Sequence, residues 1–386
     1  MKNNILHISH TDIRSDSRIL KEMKTLSAML EYNVIGFGIG ERKIVNNVLV
    51  KEIKVKTFTL YTKWLTERIK FLSRPIRYSS LMYFEIFIKM IFSGIFLKPR
   101  VIHCHDTLVL PIGVALKILT GSKLFYDAHE LESQRNSQSK MLSKIYFCIE
   151  IFSWRFVDVF VSVSPSIIEW YETKFGLKEN ALILNSPVFD IDVFDVRANN
   201  YLREKYNIPV NEKVFIYIGI IGRGRGIDLY LDIFKLADIT SHIVFLGYGE
   251  LVSKVKEHSE SFRNIHYHPS VPHHEVVRIA KSADIGLAMV EAVSLSDYYC
   301  LPNKLFEYAF SGLFVITSDF PDMKKVVEEY DLGVTCSVDK DTLRELVKKV
   351  SDLEVNRTNK DLFKLSWQYQ EKVLLNSYQK VLSLKN

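Results

Sequence analysis

Short apolar runs alternate with amphipathic segments along the first half of the chain. The apolar runs are typical of buried parallel strands, and the segments between them repeat apolar residues at the helical spacing of three or four positions. Six strands are predicted here: Asn4–Ile8, Asn33–Phe37, Val101–His105, Lys123–Asp127, Val159–Val163 and Ala181–Leu184. The clearest helices between them are Ser17–Met29 and Leu108–Leu119. This order favours a parallel sheet covered on both faces.

The same alternation restarts after residue 200. Six further strands are predicted, at Val214–Ile218, Ser241–Leu246, Asn264–His268, Ile285–Met289, Phe314–Thr317 and Gly333–Thr335. Helices are predicted at Leu229–Leu236, Leu251–His258, His273–Ala280, Asn303–Phe310, Asp322–Glu329 and Asp341–Val350. A last helical segment, Trp367–Leu384, has no strand after it.

The pattern breaks between Asn185 and Asn200, where Ser186 and Pro187 precede a run of aspartates. Such a break is typical of a domain junction. We therefore predict an α/β protein of two tandem, doubly wound Rossmann-like domains, residues 1–187 and 188–366, that face each other across a ligand-binding cleft.

The composition is that of an ordinary folded protein, with 47% hydrophobic and 25% charged residues among 386, which excludes fibrous and low-complexity classes. The cysteines form no CxxC pair, so a disulfide scaffold or structural zinc site is not expected. The first apolar run ends at Ile8, too early for a secretion signal. The most apolar stretch, Leu81–Leu97, is interrupted by Glu85 and Lys89 and makes a poor membrane span. We expect a cytoplasmic protein.

Charge is distributed unevenly along the chain. Residues 1–187 hold 26 basic and 17 acidic residues, whereas the remainder holds 25 and 28. A basic half indicates an anionic partner: nucleic acid, an anionic membrane or a phosphate-bearing substrate. In Tyr61–Tyr78 basic and aromatic residues are interleaved, and Leu81–Leu97 follows. Residues 61–97 thus fit a surface that lies on an anionic membrane, and equally a solvated helix face followed by a buried helix.

A glycine-rich loop carries the sharpest chemistry. The strand Val214–Ile218 runs into the loop 219–226 (GIIGRGRG), and a helix follows. The backbone N–H groups of such a loop and the positive end of the helix suit a phosphate or diphosphate, and Arg223 and Arg225 add bidentate donors. The spacing is not GxGxxG, which argues against a dinucleotide oxidoreductase.

A second cluster lies at residues 302–308 (PNKLFEY). Pro302 and Asn303 are typical of a helix start, so Lys304 in the first turn is placed to bind a second phosphate edge. Glu307 shares a helix face with Lys304, and its carboxylate can accept hydrogen bonds from sugar hydroxyls. The alternative interpretation is an exposed ion pair that contributes little.

In this order and separation, the two clusters resemble the retaining GT-B glycosyltransferases of family 4 (glycosyl transferases group 1). The family's loop usually reads G-R-x-x-x-x-K-G, and its basic residues contact the nucleotide diphosphate. Gly219 and Gly226 match the outer glycines. Arg225 takes the place of the lysine, while Ile220 stands where the arginine is usual, so Arg223 is the substitute.

The family's later motif, E-x7-E, places its second glutamate on the donor ribose, and Glu307 matches that position. The first glutamate is missing, because Tyr299 stands there. Residues 302–308 are similar to the branch that is common in bacterial polysaccharide enzymes. The resemblance also implies that the last helix, 367–386, packs back on the first domain.

The first half resembles the family more loosely. His129 follows a predicted strand and matches a histidine that faces the donor sugar, and we take His129 and Glu130 as catalytic candidates. Asp106 is an acceptor-side candidate, as is Arg18, which stands where the family usually has a glycine loop.

The resemblance implies a hexosyltransferase-type enzyme that transfers a sugar with retention from a UDP- or GDP-sugar to a glycan or lipid-linked acceptor. The process would be cell-surface polysaccharide biosynthesis at the inner face of the cell membrane. No metal or other cofactor and no nucleic acid is expected. Two alternatives stay open: a degenerate GT-B scaffold subunit of a partner transferase, because Tyr299 replaces a carboxylate, and a sugar-nucleotide epimerase.

Overall fold

The computed structural model describes residues 4–29, 32–40, 48–50, 53–58, 75–136, 138–188, 199–354 and 360–383. The chain forms two compact units: residues 1–183 with 371–386, and residues 184–370. The first boundary lies four residues before the predicted one. The predicted basic and aromatic segment 61–74 and most of the predicted junction, 189–198, fall outside the described residues. None of the described helices is long and apolar enough to cross a membrane.

The first unit is built on an eight-stranded sheet, in the order β3-β4-β2-β1-β5-β6-β7-β8. Every pairing is parallel except that of β3 with β4, which is antiparallel. The strands are β1 (Asn4–Ile8), β2 (Asn33–Ile39), β3 (Val48–Val50), β4 (Ile53–Phe58), β5 (Pro99–His105), β6 (Lys123–Ala128), β7 (Val159–Ser162) and β8 (Glu179–Leu182).

Helices cover both faces of this sheet. They are α1 (Ser17–Met29), α2 (Pro75–Leu97), α3 (Leu110–Thr120), α4 (Lys140–Trp154) and α5 (Pro165–Phe175), and the chain's last helix, Trp367–Ser383, joins them from residue 371 onward. An added Cβ at Gly113 of α3 would lie 2.3 Å from the Cys104 sulfur, so α3 lies directly on one face. His103 and Phe125 point to the other face, where both contact Tyr378 of the last helix.

The second unit has a six-stranded parallel sheet in the order β11-β10-β9-β12-β13-β14. Its strands are β9 (Val214–Ile220), β10 (His242–Tyr248), β11 (Ile265–Pro269), β12 (Ile285–Ala288), β13 (Phe314–Ser318) and β14 (Gly333–Cys336). Its helices are α6 (Tyr201–Tyr206), α7 (Ile227–Phe234), α8 (Val252–Ser261), α9 (His273–Ala280), α10 (Leu295–Tyr298), α11 (Asn303–Ser311), α12 (Pro321–Glu329) and α13 (Lys340–Ser351), followed by α14 (Trp367–Ser383).

All twelve predicted strands are present, with ends that differ by a few residues. Strands β3 and β4 were not predicted from the sequence. In β4, Lys54 and Lys56 alternate with apolar residues, because this strand lies near the edge of the sheet and not in its middle. Helices α4, α5, α6 and α10 were likewise not predicted.

Candidate functional site

The glycine-rich loop of the second unit joins the end of β9 to the start of α7. Gly219 and Gly226 have φ values of +122° and +71°, a region that favours glycine. A Cβ added at Gly247, on the neighbouring strand β10, would lie 1.8 Å from the Gly219 carbonyl oxygen. The backbones therefore approach one another as only glycine permits, and this contact sets the position of the loop at the carboxyl end of the sheet.

Lys304 projects from the first turn of α11 toward this loop. Its Cε lies 3.9 Å from the position that a Cβ at Gly219 would take. Its Nζ is shielded from solvent, lies 3.9 Å from the centroid of the Tyr217 ring and has no hydrogen-bond partner among the described residues. Burial, together with the charge of Arg225, lowers the pKa of Lys304 to about 7. A buried ammonium group of this kind is placed to receive an anion.

The two arginines of the loop have different surroundings. Arg225 is partly exposed, lies 3.9 Å from Asp297, and is close enough to Lys304 to affect its pKa. Arg223 is almost fully exposed, with Glu250 3.9 Å away, and its backbone N–H donates to Glu250 Oε1 at 3.3 Å. Arg225 therefore shares a site with Lys304, whereas Arg223 lies at its outer edge.

Helix α11 is held firmly against the sheet. The Tyr308 hydroxyl accepts from the backbone N–H of Ile218 at 2.9 Å and donates to the carbonyl of Leu287 at 3.1 Å. Asn303 is exposed at the first position of the helix, where the N-cap residue Pro302 provides no side-chain hydrogen bond. The first-turn N–H groups thus have no side-chain cap.

Two carboxylates lie near the loop. Glu307 is buried in α11 and lies close enough to Lys304 for its charge to affect the pKa of Lys304. Glu291 follows β12, and its Oε1 accepts from the backbone N–H of Gly226 at 3.4 Å. Glu291 was not predicted from the sequence, because no motif marks it and only the pairing of β12 with β9 brings it to the loop.

Unit one places a charged cluster at the ends of β5 and β6, which we call the strand-end cluster: Arg18, Glu22, His105, Asp106, Asp127 and His129. Arg18 is buried and binds Asp127 with two hydrogen bonds, of 3.1 and 2.9 Å. Arg18 Nη1 donates to the carbonyl of Ile183 at 2.8 Å, and Nε, which already donates to Asp127, also lies 3.2 Å from Glu22 Oε1. Arg18, an acceptor-side candidate, is therefore occupied in holding Asp127.

His129, like Asp106, is a partly exposed member of the cluster. Its Nε2 lies 3.2 Å from Asp127 Oδ2, and its Nδ1 lies 3.8 Å from Asp106 Oδ1. Burial lowers the pKa of His129, but the charges of Asp106 and Asp127 outweigh burial and raise the pKa to about 10. His129 is therefore a cation at neutral pH, able to donate a hydrogen bond but not to act as a general base.

Asp106 has a strained backbone. Its φ is +69°, which is uncommon for a residue with a side chain, and its N–H donates to the carbonyl of Asp127 at 2.9 Å. Strain of this kind is concentrated at functional sites. Glu130, in contrast, is half exposed and paired with Arg135 at 2.9 Å, outside the cluster.

The cluster also offers ligand atoms for a metal ion. One group consists of His7, Glu22, His103 and His105, and another of His105, Asp127 and His129, each with its atoms within 4.8 Å of one another. Burial keeps His7, His103 and His105 neutral by lowering the pKa of each, and Arg18 and His129 already balance the nearby carboxylates. A divalent ion would leave positive charge uncompensated in a buried site, so the set fits a metal poorly, and the absence of a metal stays a prediction.

Some members of the strand-end cluster could have been found from the sequence. The members His105 and Asp127 each follow, two positions later, a residue outside the cluster: His103 on β5 and Phe125 on β6. Strand periodicity places such alternate residues on one face of the sheet. Glu22 and Glu132 had no such signal. Burial raises the pKa of each of these glutamates to about 8, and this follows only from the tertiary structure.

These features define a GT-B fold, because the two parallel α/β units match known GT-B enzymes over the whole chain. Sucrose-phosphate synthase from Thermosynechococcus elongatus is 15% identical and matches with a TM-score of 0.67 over 100% of this chain and 95% of that one. Alr3699/HepE from Anabaena, solved with UDP-glucose, is 12% identical with a TM-score of 0.68 over 98% of both chains. The lipopolysaccharide outer core galactosyltransferase WaaB is 14% identical with a TM-score of 0.65 over 98% of this chain and 99% of that one.

Residues 199–364 match the family model described as "Glycosyl transferases group 1". The glycine-rich loop, Lys304 and Glu307 all lie within the matched residues. No curated protein matches the sequence. At identities this low, the likeness to solved structures establishes the fold and not the reaction.

Proposed function

We propose that the protein is a retaining glycosyltransferase that moves a sugar from a UDP- or GDP-sugar to a glycan or lipid-linked acceptor. The observation that carries this proposal is the ammonium group of Lys304, buried beside the glycine loop and next to Arg225 without a hydrogen-bond acceptor. A diphosphate satisfies both cations, whereas a neutral ligand leaves Lys304 unpaired.

In the proposed reaction, the bond between the sugar C1 and the phosphate oxygen breaks, and the nucleoside diphosphate leaves with the electron pair. The acceptor oxygen bonds to C1, and its proton passes to an oxygen of the leaving diphosphate. Negative charge that develops on the diphosphate needs preorganised donors. Lys304, Arg225 and the uncapped N-terminus of α11 at Asn303 supply them, with Gly219 allowing close approach and Arg223 at the edge.

Glu307 is assigned to the donor ribose. It is buried one turn along α11 from Lys304, so a nucleoside whose diphosphate meets Lys304 brings its ribose near this carboxylate. A carboxylate accepts hydrogen bonds from both ribose hydroxyls. Glu307→Gln should therefore weaken binding of UDP more than binding of 2′-deoxy-UDP.

Among the residues of the first unit, His129 is assigned from the family resemblance, and Asp106 and Glu130 from the chemistry that an acceptor hydroxyl requires. His129 contacts the donor sugar or its phosphate, and its cationic state suits an interaction with a phosphate oxygen. Asp106 orients the acceptor hydroxyl, and Arg18 keeps Asp127 in place beside His129. Glu130 is paired with Arg135 and has the weakest support of these residues.

The proposed donor and acceptor classes also draw on the neighbours' functions. HepE was solved with UDP-glucose, and WaaB is a lipopolysaccharide galactosyltransferase. We place this chain in the synthesis of a cell-surface polysaccharide, as a cytoplasmic hexosyltransferase at the inner face of the membrane.

Thermal stability in the presence of UDP, GDP, ADP or CMP tests the donor site. A ligand at about 100 times its dissociation constant stabilises by roughly 2.7 kcal/mol. We expect one diphosphate to stabilise the chain and Arg225→Ala to abolish the shift. The matched control is Arg263→Ala, an exposed arginine of the same unit that is paired with Glu212.

The nucleotide that binds then selects the sugar donors for a turnover assay, and NMR of the product determines the anomeric configuration. Turnover by the purified chain would exclude the scaffold alternative, which rests on Tyr299. If none of the four nucleotides stabilised the chain, or if the Arg225→Ala variant kept the full shift, the donor-site assignment would be wrong.

A further inference from the structure

An exposed apolar surface lies on one side of the first unit. Among the described residues, 22 large hydrophobic side chains are exposed, and twelve of them lie on α2, α3 and α4. We call these twelve the apolar face: Leu81, Phe84, Ile88, Phe92, Phe96, Ile118, Leu119, Met141, Leu142, Ile145, Ile151 and Phe152. The three helices are neighbours, since α2 packs on α3 and α3 packs on α4. Contiguous exposure on this scale marks an interaction surface.

The pattern along α2 explains why this helix is apolar all round. Its exposed residues recur at helical spacing from Leu81 to Phe96 and form one continuous stripe. Its other side is buried: Met90 is inaccessible, and Gly94 lies so close to α3 that an added Cβ would be 2.7 Å from Leu116. One apolar stripe therefore serves the core of the unit, and the second is exposed among the residues that the structure describes.

Between α3 and α4 the apolar face contains a groove of about 620 Å³. Val114 and Ile118 line one side, and Ile145 and Phe152 line the other. Lys144 and Arg155 also border the groove. Cationic groups thus flank an apolar depression on the surface.

Acidic side chains are nearly absent from this surface. The described residues of α2, α3 and α4 include only two, Glu85, which is paired with Lys89, and Glu150, which is buried. On and just after α4, Lys140, Lys144 and Arg155 are exposed. The surface is therefore apolar and basic, a combination that complements anionic lipid.

We propose that the apolar face docks the protein onto an anionic lipid bilayer, with α2 and α4 lying along the interface. Helices with an apolar face and basic flanks are buried about 5–10 Å into the headgroup region. A second copy of the chain fits less well, because a symmetric interface would press one basic, acid-poor surface against another. This proposal goes beyond the transfer reaction and does not depend on it.

Vesicle flotation with the full-length chain tests the proposal. We expect binding to vesicles of phosphatidylcholine and phosphatidylglycerol, weaker binding to phosphatidylcholine alone, and a decrease with salt. A triple variant, Phe92→Glu with Phe96→Glu and Phe152→Glu, should lower binding roughly tenfold or more, because three charges replace inserted rings. If the triple variant does not fold, the single variant Phe96→Glu replaces it in the flotation assay.

Matched controls separate membrane contact from a general effect of new charge. Leu177 is 85% exposed, as Phe96 is 84% exposed, but it lies outside the apolar face; Leu177→Glu should bind vesicles as the wild type does. Stabilisation by UDP or GDP, measured in parallel, reports on the donor site independently.

The proposal is overturned if the wild-type chain does not float with anionic vesicles, or if the triple variant floats as well as the wild type. It is equally overturned if the variant converts a dimer to a monomer and the dimer has no affinity for vesicles, since the occupant would then be a second copy.

Discussion

The pKa of Lys304 leads to a direct prediction about nucleotide binding. In the free protein, burial and the charge of Arg225 hold this pKa at about 7. A bound diphosphate favours the protonated form and raises it. Affinity for the nucleotide is therefore full below pH 7 and falls as the pH rises from 7 toward the pKa of the complex.

The size of the effect follows from the protonated fraction. With a pKa of about 7, Lys304 is roughly half protonated at pH 7 and about 3% protonated at pH 8.5. The dissociation constant of UDP or GDP should therefore increase roughly 15-fold between these two values, about 1.6 kcal/mol. The terminal phosphate itself ionises near pH 6 and contributes little in this range.

Isothermal titration calorimetry in two buffers of different ionisation enthalpy measures this directly. At pH 8, binding should take up about 0.9 proton, because about nine-tenths of Lys304 is then neutral. Lys304→Met should bind weakly and show neither proton uptake nor pH dependence. If the Arg225→Ala variant still binds measurably, its affinity should begin to fall at a higher pH than that of the wild type, since the variant lacks a charge that depresses the pKa of Lys304. A flat wild-type profile, or uptake that persists in Lys304→Met, would refute the reasoning.

Three further predictions concern stability. Asp127→Asn leaves Arg18 buried beside a neutral amide and should cost about 3–5 kcal/mol in urea unfolding; a loss below 1 kcal/mol would contradict the role of this pair. Gly247→Ala should cost more than about 3 kcal/mol, because the new Cβ meets backbone at 1.8 Å, whereas the control Gly222→Ala, with no atom nearer than 3.5 Å, should change stability by less than about 1 kcal/mol. Glu132→Gln should raise the melting temperature relative to wild type increasingly from pH 5 to pH 8 and level off above that, because the folded protein holds the proton of Glu132 up to a pKa of about 8 and the unfolded chain releases it near 4.5; an unchanged difference across this range would show that Glu132 is not buried as an acid.

In the proposed transfer reaction, the role of the strand-end cluster is to hold His129 and Asp106 in position. Arg18 and Asp127 form a buried ion pair, and the carboxylate of Asp127 also forms an ion pair with His129. The same arrangement that stabilises the ends of β5 and β6 therefore maintains His129 as a cation. Asp106, strained and adjacent to His129, is the carboxylate whose replacement should alter activity with the least effect on the core.

Much of the architecture was predictable from the order of residues alone. Apolar runs such as Val214–Ile218 are confirmed as strands. They were recognisable because a strand that is buried on both faces is apolar throughout. The position of the glycine loop after that strand, and of Lys304 in the first turn of a helix, also followed, since local spacing and helix-start signals determine both. Strand β4, which lies between β3 and β2, was missed because lysines alternate with its apolar residues, so it lacks the continuous apolar run of strands such as Val214–Ile218.

Only the tertiary structure decided which of these residues meet and in what state of charge. Nothing local in the sequence shows that Lys304 is shielded from solvent next to Arg225, or that Arg18 reaches Asp127 across 109 positions. Desolvation and the distances between charges depend on packing, and they distinguish the exposed Arg223 from Arg225 although only Gly224 lies between the two. The apolar stripe of α2 illustrates the same limit: its sequence is apolar on every side, but only the fold shows which stripe is buried and which is exposed among the described residues.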